Sequence, residues 1–333
     1  LVAAGLFVFA FPLAAWGQSY SVVDIGASDP YSLGLTVAGM NDAGEVVGNI
    51  NTPAGTSAFS YANGDITILN FTGAAAVNGT GQIAGDDGPD AVLYNGGAIT
   101  DLGEGNAVAI NSSGEVLGND HPHPFTWTGG VRKDLGTFIV PGAIYARGIN
   151  DSGEVVGWGG GDGDGVSDAF AYGVGTYIGD LNGLNEFSVP GYRTATGIND
   201  AGQIIGTWED AYYQSWGGVI EGGGGAYAAG FVPDAINSGG EVVGYSTNSG
   251  DAVIGGVGQM VDLNSLITQG TGDRLENAVG VNYGGWIICQ GINSQGLQDG
   301  FLLIPTPEPA SLGLLAVGGV TLLGRRRRHR IAA

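Results

Sequence analysis

Asp162, Asp164 and Asp168, in the segment GGDGDGVSD, are the densest metal-binding chemistry in the sequence. Carboxylates at alternate positions supply several hard oxygen ligands on a loop that Gly165 lets curl, which is what calcium requires. His121 and His123 flank Pro122. Two imidazoles could hold a transition metal, but the proline between them limits how far they can converge. Catalytic signatures are scarce: the chain has no Gly-x-Ser-x-Gly, His-Glu-x-x-His, P-loop or Cys-x-x-Cys. Acids are plentiful, so a hydrolase or lyase working through two carboxylates brought together from distant segments is the enzymatic alternative. Aromatic residues cluster in the most variable segments, among them Trp158, Trp208, Tyr212, Tyr213 and Trp216, and rings of this kind can stack on sugar faces.

The elements that must carry these residues come from an internal repeat. MNDAGEVVG, VNGTGQIAG, INSSGEVLG, INDSGEVVG, INDAGQIIG, INSGGEVVG and VNYGGWIIC align without gaps. Their asparagines are Asn41, Asn78, Asn111, Asn150, Asn199, Asn237 and Asn282, each followed three residues later by glycine. Asparagine opens a type I turn by bonding backbone N–H groups ahead of it, and the glycine takes the left-handed conformation a tight hairpin needs. The seven asparagines are therefore read as turn residues, with a ligand-binding ring as the alternative. A β-branched pair such as Val46-Val47 then continues as a strand.

Before each turn, small residues recur at period two, as in Ala146 and Gly148 or Ala195 and Gly197, which suits the innermost strand around a crowded axis. Two further strands recur in most units, an aromatic or aliphatic one such as DAFAY and one ending in Asp-Leu. Four strands at unit spacings of 33 to 49 residues predict an all-β fold, a seven-bladed β-propeller with four-stranded blades. The seventh unit lacks its last strand, and residues 20–26 match the missing pattern, so the N-terminal strand is expected beside residues 299–304, closing the ring. A β-solenoid is the alternative. The repeats resemble the HAF family of bacterial extracellular repeats over most of residues 38–303, with His123 alone keeping that family's histidine. The 160–168 segment resembles the calcium loops of integrin-type propellers, with Gly160 in place of the first aspartate.

Of 333 residues 66 are glycine, and charged residues are only 13%. Residues 18–304 carry five basic residues against 31 acidic ones, a formal net charge of −26. That body repels phosphate backbones, so nucleic acid is excluded as a partner, and cations or neutral polymers are favoured. Cys289 is the sole cysteine, so no intrachain disulfide forms.

Both ends read as address labels. Residues 1–17 are an apolar run ending with Ala15 and Gly17 at the positions signal peptidase prefers; the run lacks the methionine and basic residues that open such signals, so the sequence starts within it. Residues 305–333 hold Pro307-Glu308-Pro309, an apolar stretch, and Arg325, Arg326, Arg327 and Arg328. The apolar stretch predicts a short helix that enters the membrane transiently with the arginines cytoplasmic. This order of parts resembles the PEP-CTERM sorting signal of bacteria. The resemblance implies processing by an exosortase and association with the envelope, extracellular polymer or biofilm. Together the readings predict an exported, non-enzymatic structural or adhesive module whose partners are signal peptidase, exosortase and extracellular polysaccharide. No cofactor is required by these readings; calcium is the one candidate, and a solvated glycine-rich turn is the alternative reading of residues 160–168.

Overall fold

Among the described residues, short β-branched and alanine-rich runs punctuated by asparagine and glycine turns fold into 28 strands, β1–β28, in seven four-stranded antiparallel sheets. The computed structural model describes residues 18–26, 34–53, 55–136, 143–160, 167–173, 176–180, 193–209, 215–220, 226–256, 259–267 and 272–306. Among these residues there is no α-helix, and a 3-10 turn spans Leu263–Ser265.

The first strand of each repeat lies innermost. These strands are β2 (Leu35–Met40), β6 (Gly73–Val77), β10 (Asn106–Ile110), β14 (Ile144–Ile149), β18 (Arg193–Ile198), β22 (Phe231–Ile236) and β26 (Arg274–Val281). Each touches its counterpart in the next blade, and β26 touches β2, so the units close into a ring, not a solenoid. The small residues serve this approach: a Cβ on Gly39 would sit 3.1 Å from the Cα of Ala76, and one on Gly148 3.3 Å from that of Gly197. The glycine that ends six of the repeats has a second steric reason. A Cβ on Gly157 or Gly244 would collide with the carbonyl oxygen of Tyr145 or Val232 on the neighbouring inner strand.

Among the described residues the apolar side chains are buried between blades. Val47 and Ala58 of the first blade pack on Leu69, Phe71, Ala74, Ile83 and Val92 of the second. Ile288 and Leu302 of the seventh blade meet Leu35, Val46, Ile50 and Phe59 of the first. Seven such clusters join the blades pairwise around the ring.

The seventh blade draws strands from both ends of the chain. β1 (Ser19–Asp24) pairs antiparallel with β28 (Gln298–Thr306), running from Ser19 opposite Thr306 to Asp24 opposite Phe301, and β27 (Ile287–Ile292) lies between β28 and β26. Residues 20–26 and 299–304 thus lie side by side. The strand continues two residues past 304, and Thr306 is fastened there: its Oγ1 is 2.8 Å from Ser19 Oγ and donates to the Ser19 carbonyl at 2.8 Å.

The asparagine turns carry more than turn chemistry. Asn150 Oδ1 accepts from the N–H groups of Ser152 (3.1 Å) and Glu154 (2.9 Å), as a turn requires. Its Nδ2, however, donates to Glu154 Oε2 at 2.7 Å and to the main-chain carbonyl of Asn199, in the next blade, at 3.3 Å. The same donation runs from Asn41 to Asn78, to Asn111, to Asn150, to Asn199, to Asn237, to Asn282 and from Asn282 back to Asn41, at 2.9–3.3 Å. All seven side chains are buried, with 3–6% of their surface exposed. The turn glycines have φ between 71° and 83°, out of reach of most residues without strain.

Asn150→Ala leaves two turn N–H groups unpaired in a buried site and takes from the Asn199 carbonyl one of its two donors, the other being the Gly202 N–H, which is expected to cost about 2–3 kcal/mol. Asn63→Gly, at a left-handed hairpin position with φ of 55°, should stay within about 0.5 kcal/mol of the parent. Equilibrium urea unfolding of both variants checks the contrast.

Candidate functional site

Two rims follow from the hairpin geometry. The asparagine turns occupy one, and the opposite rim is built from the starts of the innermost strands and the ends of the second ones. On that opposite rim the alternation of β14 and β15 (Val155–Gly160) places Tyr145 directly across from Trp158. Their rings stack with centroids 4.5 Å apart and 25° between planes. Tyr145 Oη lies 2.7 Å from His121 Nε2, and the imidazole stands edge-on to the phenol at 5.0 Å. One blade on, Trp208 of β19 (Ile204–Glu209) faces Trp216 of β20 (Ser215–Ile220) at 6.3 Å. These tryptophans are half-buried, so each offers part of a ring while the rest anchors the rim.

Of the residues expected to bind a polymer, Trp158, Trp208 and Trp216 lie on this rim, while Tyr212 and Tyr213 fall outside the described residues. Tyr145 was missed, and His121 was singled out only as a candidate metal ligand. The signal for Tyr145 was a bulky ring inside a strand whose counterparts hold Thr36, Gly73 or Asn106. The two histidines of the His-Pro-His segment part company: His121 serves Tyr145, and His123 Nδ1 lies 3.5 Å from Asp134 Oδ2.

The calcium reading stands on residues that are mostly outside the described set. Asp162 and Asp164 lie outside it, and Asp168 is described only as a backbone position opposite Gly159 in β16 (Ser167–Gly173). Among the described residues no group of three or more His, Cys, Asp or Glu could hold a metal ion. Pro307, Glu308, Pro309 and Arg325–Arg328, like the signal segment 1–17, also lie outside the described residues, as does the helix expected after Pro309. No helix among the described residues is long and apolar enough to cross a membrane.

Two carboxylates do meet, within the seventh blade. Asp299, 5% exposed, accepts from the Gly300 N–H (2.8 Å) and from Asn293 Nδ2 (3.1 Å), and its carboxyl shares a hydrogen bond with Asp24. Burial pushes Asp299 up to about 6; the Gly300 bond opposes this, and the Asp24 charge adds to it. Gly26 covers the pair so tightly that a Cβ there would overlap the Asp299 carboxylate. The supporting Asn293 is an eighth copy of the asparagine turn: its Oδ1 accepts from Gln295 and Leu297 N–H, and Gly296 follows at φ 80°. Asp234 on β22 is pushed up to about 6 by burial and held back by the Asn277 side chain and the Arg147 charge, and burial also raises Asp86, against its bonds from the Ala107 N–H and the Asn106 side chain. Burial likewise raises the Cys289 thiol, so it is an inert core side chain.

The comparisons bear on the C-terminal segment and the fold. The family model for the PEP-CTERM protein-sorting motif matches residues 305–328. That motif implies sorting by an exosortase and export to the cell envelope or extracellular space. No curated protein matches the chain. Among solved structures it is similar to one from a study of two prolyl endopeptidases, at 12% identity and TM-score 0.44, covering 66% of this chain and 39% of that one. It is similar to Porphyromonas gingivalis dipeptidyl peptidase 4 at 11% identity and TM-score 0.45, covering 83% and 54%. A hypothetical protein from Leishmania major is similar at 10% identity and TM-score 0.26, covering 87% and 86%. The chain spans about half or less of the two peptidases, and likenesses this distant carry no argument about activity.

Asp234 and Asp299 have folded-state values above the ordinary carboxylate value, so the folded chain binds more protons than the unfolded chain between about pH 4 and pH 6. The stability they give is present at low pH and is lost as pH rises through about 6. Wild type should therefore unfold at higher urea at pH 5 than at pH 7, and Asp299→Asn should narrow that difference; an unchanged difference would show that Asp299 is not the group responsible.

Proposed function

We propose that the protein is an exported, non-enzymatic adhesive module whose aromatic rim binds extracellular polysaccharide and whose C-terminal segment governs its attachment or release. The observation that carries this reading is the placement of the rings relative to the tail. β28 delivers the chain into the sorting segment beside the asparagine turns, where Pro305 lies against Gly285. The Tyr145–Trp158 stack and the Trp208–Trp216 pair occupy the other rim. A propeller held by its tail would thus present the aromatic face outward. The acidic body adds selectivity, because it repels anionic polymers and leaves neutral glycans free to approach.

The pairing of β1 with β28 supports a second part of the reading, in which the N-terminal strand latches the ring. Gln18 Nε2 donates to the Thr306 carbonyl at 3.0 Å, so the residue after the signal and the residue before Pro307 sit at one corner. Cleavage on both sides would then free two ends without opening a blade. The apolar stretch after Pro309 enters the membrane only until processing, with Arg325–Arg328 on the cytoplasmic side, in keeping with the positive-inside rule. Membership of the extracellular HAF repeats and calcium at Asp162, Asp164 and Asp168 belong to the same proposal. A hydrolase or lyase on this scaffold would need two acids from different blades. Among the described residues, the acids that meet, Asp24 and Asp299, belong to one blade, with Asp299 enclosed by Gly26 and Asn293, which favours the binding role.

Trp158→Ala is expected to weaken retention on immobilised neutral polysaccharide by about tenfold, the loss of one stacking contact. Affinity electrophoresis against a panel of glucan, mannan and galactan reads this, and an unaltered mobility for every polymer would sink the rim as the binding face. Replacing Pro307-Glu308-Pro309 by alanines should abolish C-terminal processing in a host that carries an exosortase. The mass of the mature chain reports it.

A further inference from the structure

The innermost strands share one irregularity. In each blade the ladder skips a residue between the two small positions: Ala38, Ala75, Val108, Arg147, Thr196, Asp234 and Val279. A bulge leaves its extra residue unpaired, here in the middle of each innermost strand; Val279 packs into the cluster between the seventh and first blades. Three consecutive blades therefore present apolar groups at this level, and the next three present a guanidinium, a hydroxyl and a carboxylate. In the seventh blade Asn277 joins the polar side through its bond to Asp234.

This polar arc is only partly satisfied. Thr196 Oγ1 donates to the Pro233 carbonyl at 2.8 Å, tying β18 to β22. Asp234 Oδ2 and Asn277 Oδ1, by contrast, are buried and have no hydrogen-bond partner among the described residues. Buried acceptors left in this state call for a donor. Arg147 is exposed and carries no hydrogen bond or ion pair among the described residues, whereas Arg132 and Arg274 are spent on structural contacts. A metal ion is a poor donor substitute here, because one carboxylate faces one guanidinium and the net local charge is close to zero. Hydroxyl groups fit: they donate to the two orphan acceptors and accept from Arg147. Burial keeps the Asp234 carboxyl near 6, so at neutral pH it is ionised and only accepts.

We propose that the inner edge of the ring holds a recognition site for one neutral sugar unit, whose hydroxyls accept from the exposed Arg147 and, once side-chain movement uncovers them, donate to Asp234 and Asn277, with its C–H face against the apolar arc. The inference rests on the reading of the aromatic rim as a polysaccharide-binding face. Tyr145 connects the two, since it lies two residues before Arg147 on β14, about 7 Å along the strand.

The experiment compares linear neutral hexasaccharides of glucose, mannose and galactose with their per-O-methylated forms, titrated into the exported protein by calorimetry. Methylation keeps the stacking face and removes every hydroxyl donor. Wild type should bind at least one native hexasaccharide about tenfold more tightly than its methylated form. Asp234→Ala and, as an exposed substitution that leaves the fold alone, Arg147→Ala should each bring native binding down to the methylated level. Trp158→Ala should weaken both forms. Equal affinity for native and methylated ligand, or full native affinity in both Arg147→Ala and Asp234→Ala, would overturn the sugar site while leaving the rim reading standing. No binding of any ligand, or binding indifferent to Trp158→Ala, would overturn the rim reading and this inference with it.

Discussion

A cyclic relay of seven asparagine amides is the constraint on which the rest of the fold depends. Each Nδ2 reaches the carbonyl of the equivalent asparagine one blade on, and the last of the seven, from Asn282 to Asn41, spans 241 positions of sequence. In a repeat architecture each unit is stabilised chiefly by its neighbours, so the free energy of the whole lies in the interfaces. Here every interface has the same two parts, an apolar cluster between sheets and one buried amide bond between turns. Since Oδ1 of the same side chain closes its own turn, the local hairpin and the long-range docking are specified by a single residue type. A blade that is misfolded at its turn also loses its grip on the next one.

This arrangement divides the two rims. The asparagine rim cannot vary much, because a longer turn would displace the amide from its carbonyl and a bulkier residue would strike the packed glycine positions. Its exceptions are themselves packed: Trp286, at the position where other repeats have glutamate or glutamine, lies over Gly44 of the first blade, closely enough that a Cβ there would come within 2.5 Å. The other rim is under no such restraint. Its connections differ in length from blade to blade, and it is there that Tyr145, Trp158, Trp208 and Trp216 collect. Charge follows the same division of labour. Arg132 lies over the Phe125 ring at 3.6 Å and bonds Asp120 and two carbonyls, and Arg274 bridges Asp251 and two more, so those cations tie acidic loops down.

Much of the architecture was legible because its signals are local. Asn-x-x-Gly names a turn, a β-branched pair names a strand, and the count of seven with small residues at period two names a ring with crowded inner strands. Even the partner of β28 could be found by noticing that Tyr20-Ser21-Val22-Val23-Asp24 repeats the pattern the seventh unit lacks. The inter-blade amide bond was not legible. A turn already accounts for asparagine through Oδ1, and nothing in a single repeat shows that Nδ2 has a second acceptor 33 to 49 residues away. Asn293 was overlooked for a related reason: Ile-Asn-Ser-Gln-Gly matches the turn, but it falls inside the seventh unit, away from the 33–49-residue spacing that picked out the others.

The candidate site was the least legible part, and bulges explain why. Period-two reasoning assigns Ala146 and Gly148 to one face of β14 and leaves Arg147 on the other, as an ordinary outward charge. The register shift between Ala146 and Gly148 breaks that alternation at Arg147, and the same irregularity recurs at Thr196 and Asp234 in the next two blades, so that the Arg147 charge is felt by the Asp234 carboxyl. Three residues separated by 49 and 38 positions thus become neighbours through a feature that only strand pairing reveals. The bulge is repeated in all seven blades, including those where it presents alanine or valine, so it belongs to the scaffold and was not shaped by any one side chain. What varies is the residue placed on it. A ring that must keep seven identical interfaces can still differ from blade to blade at this position without disturbing the asparagine relay, which makes the inner edge, with the aromatic rim above it, the place where this fold is free to acquire specificity.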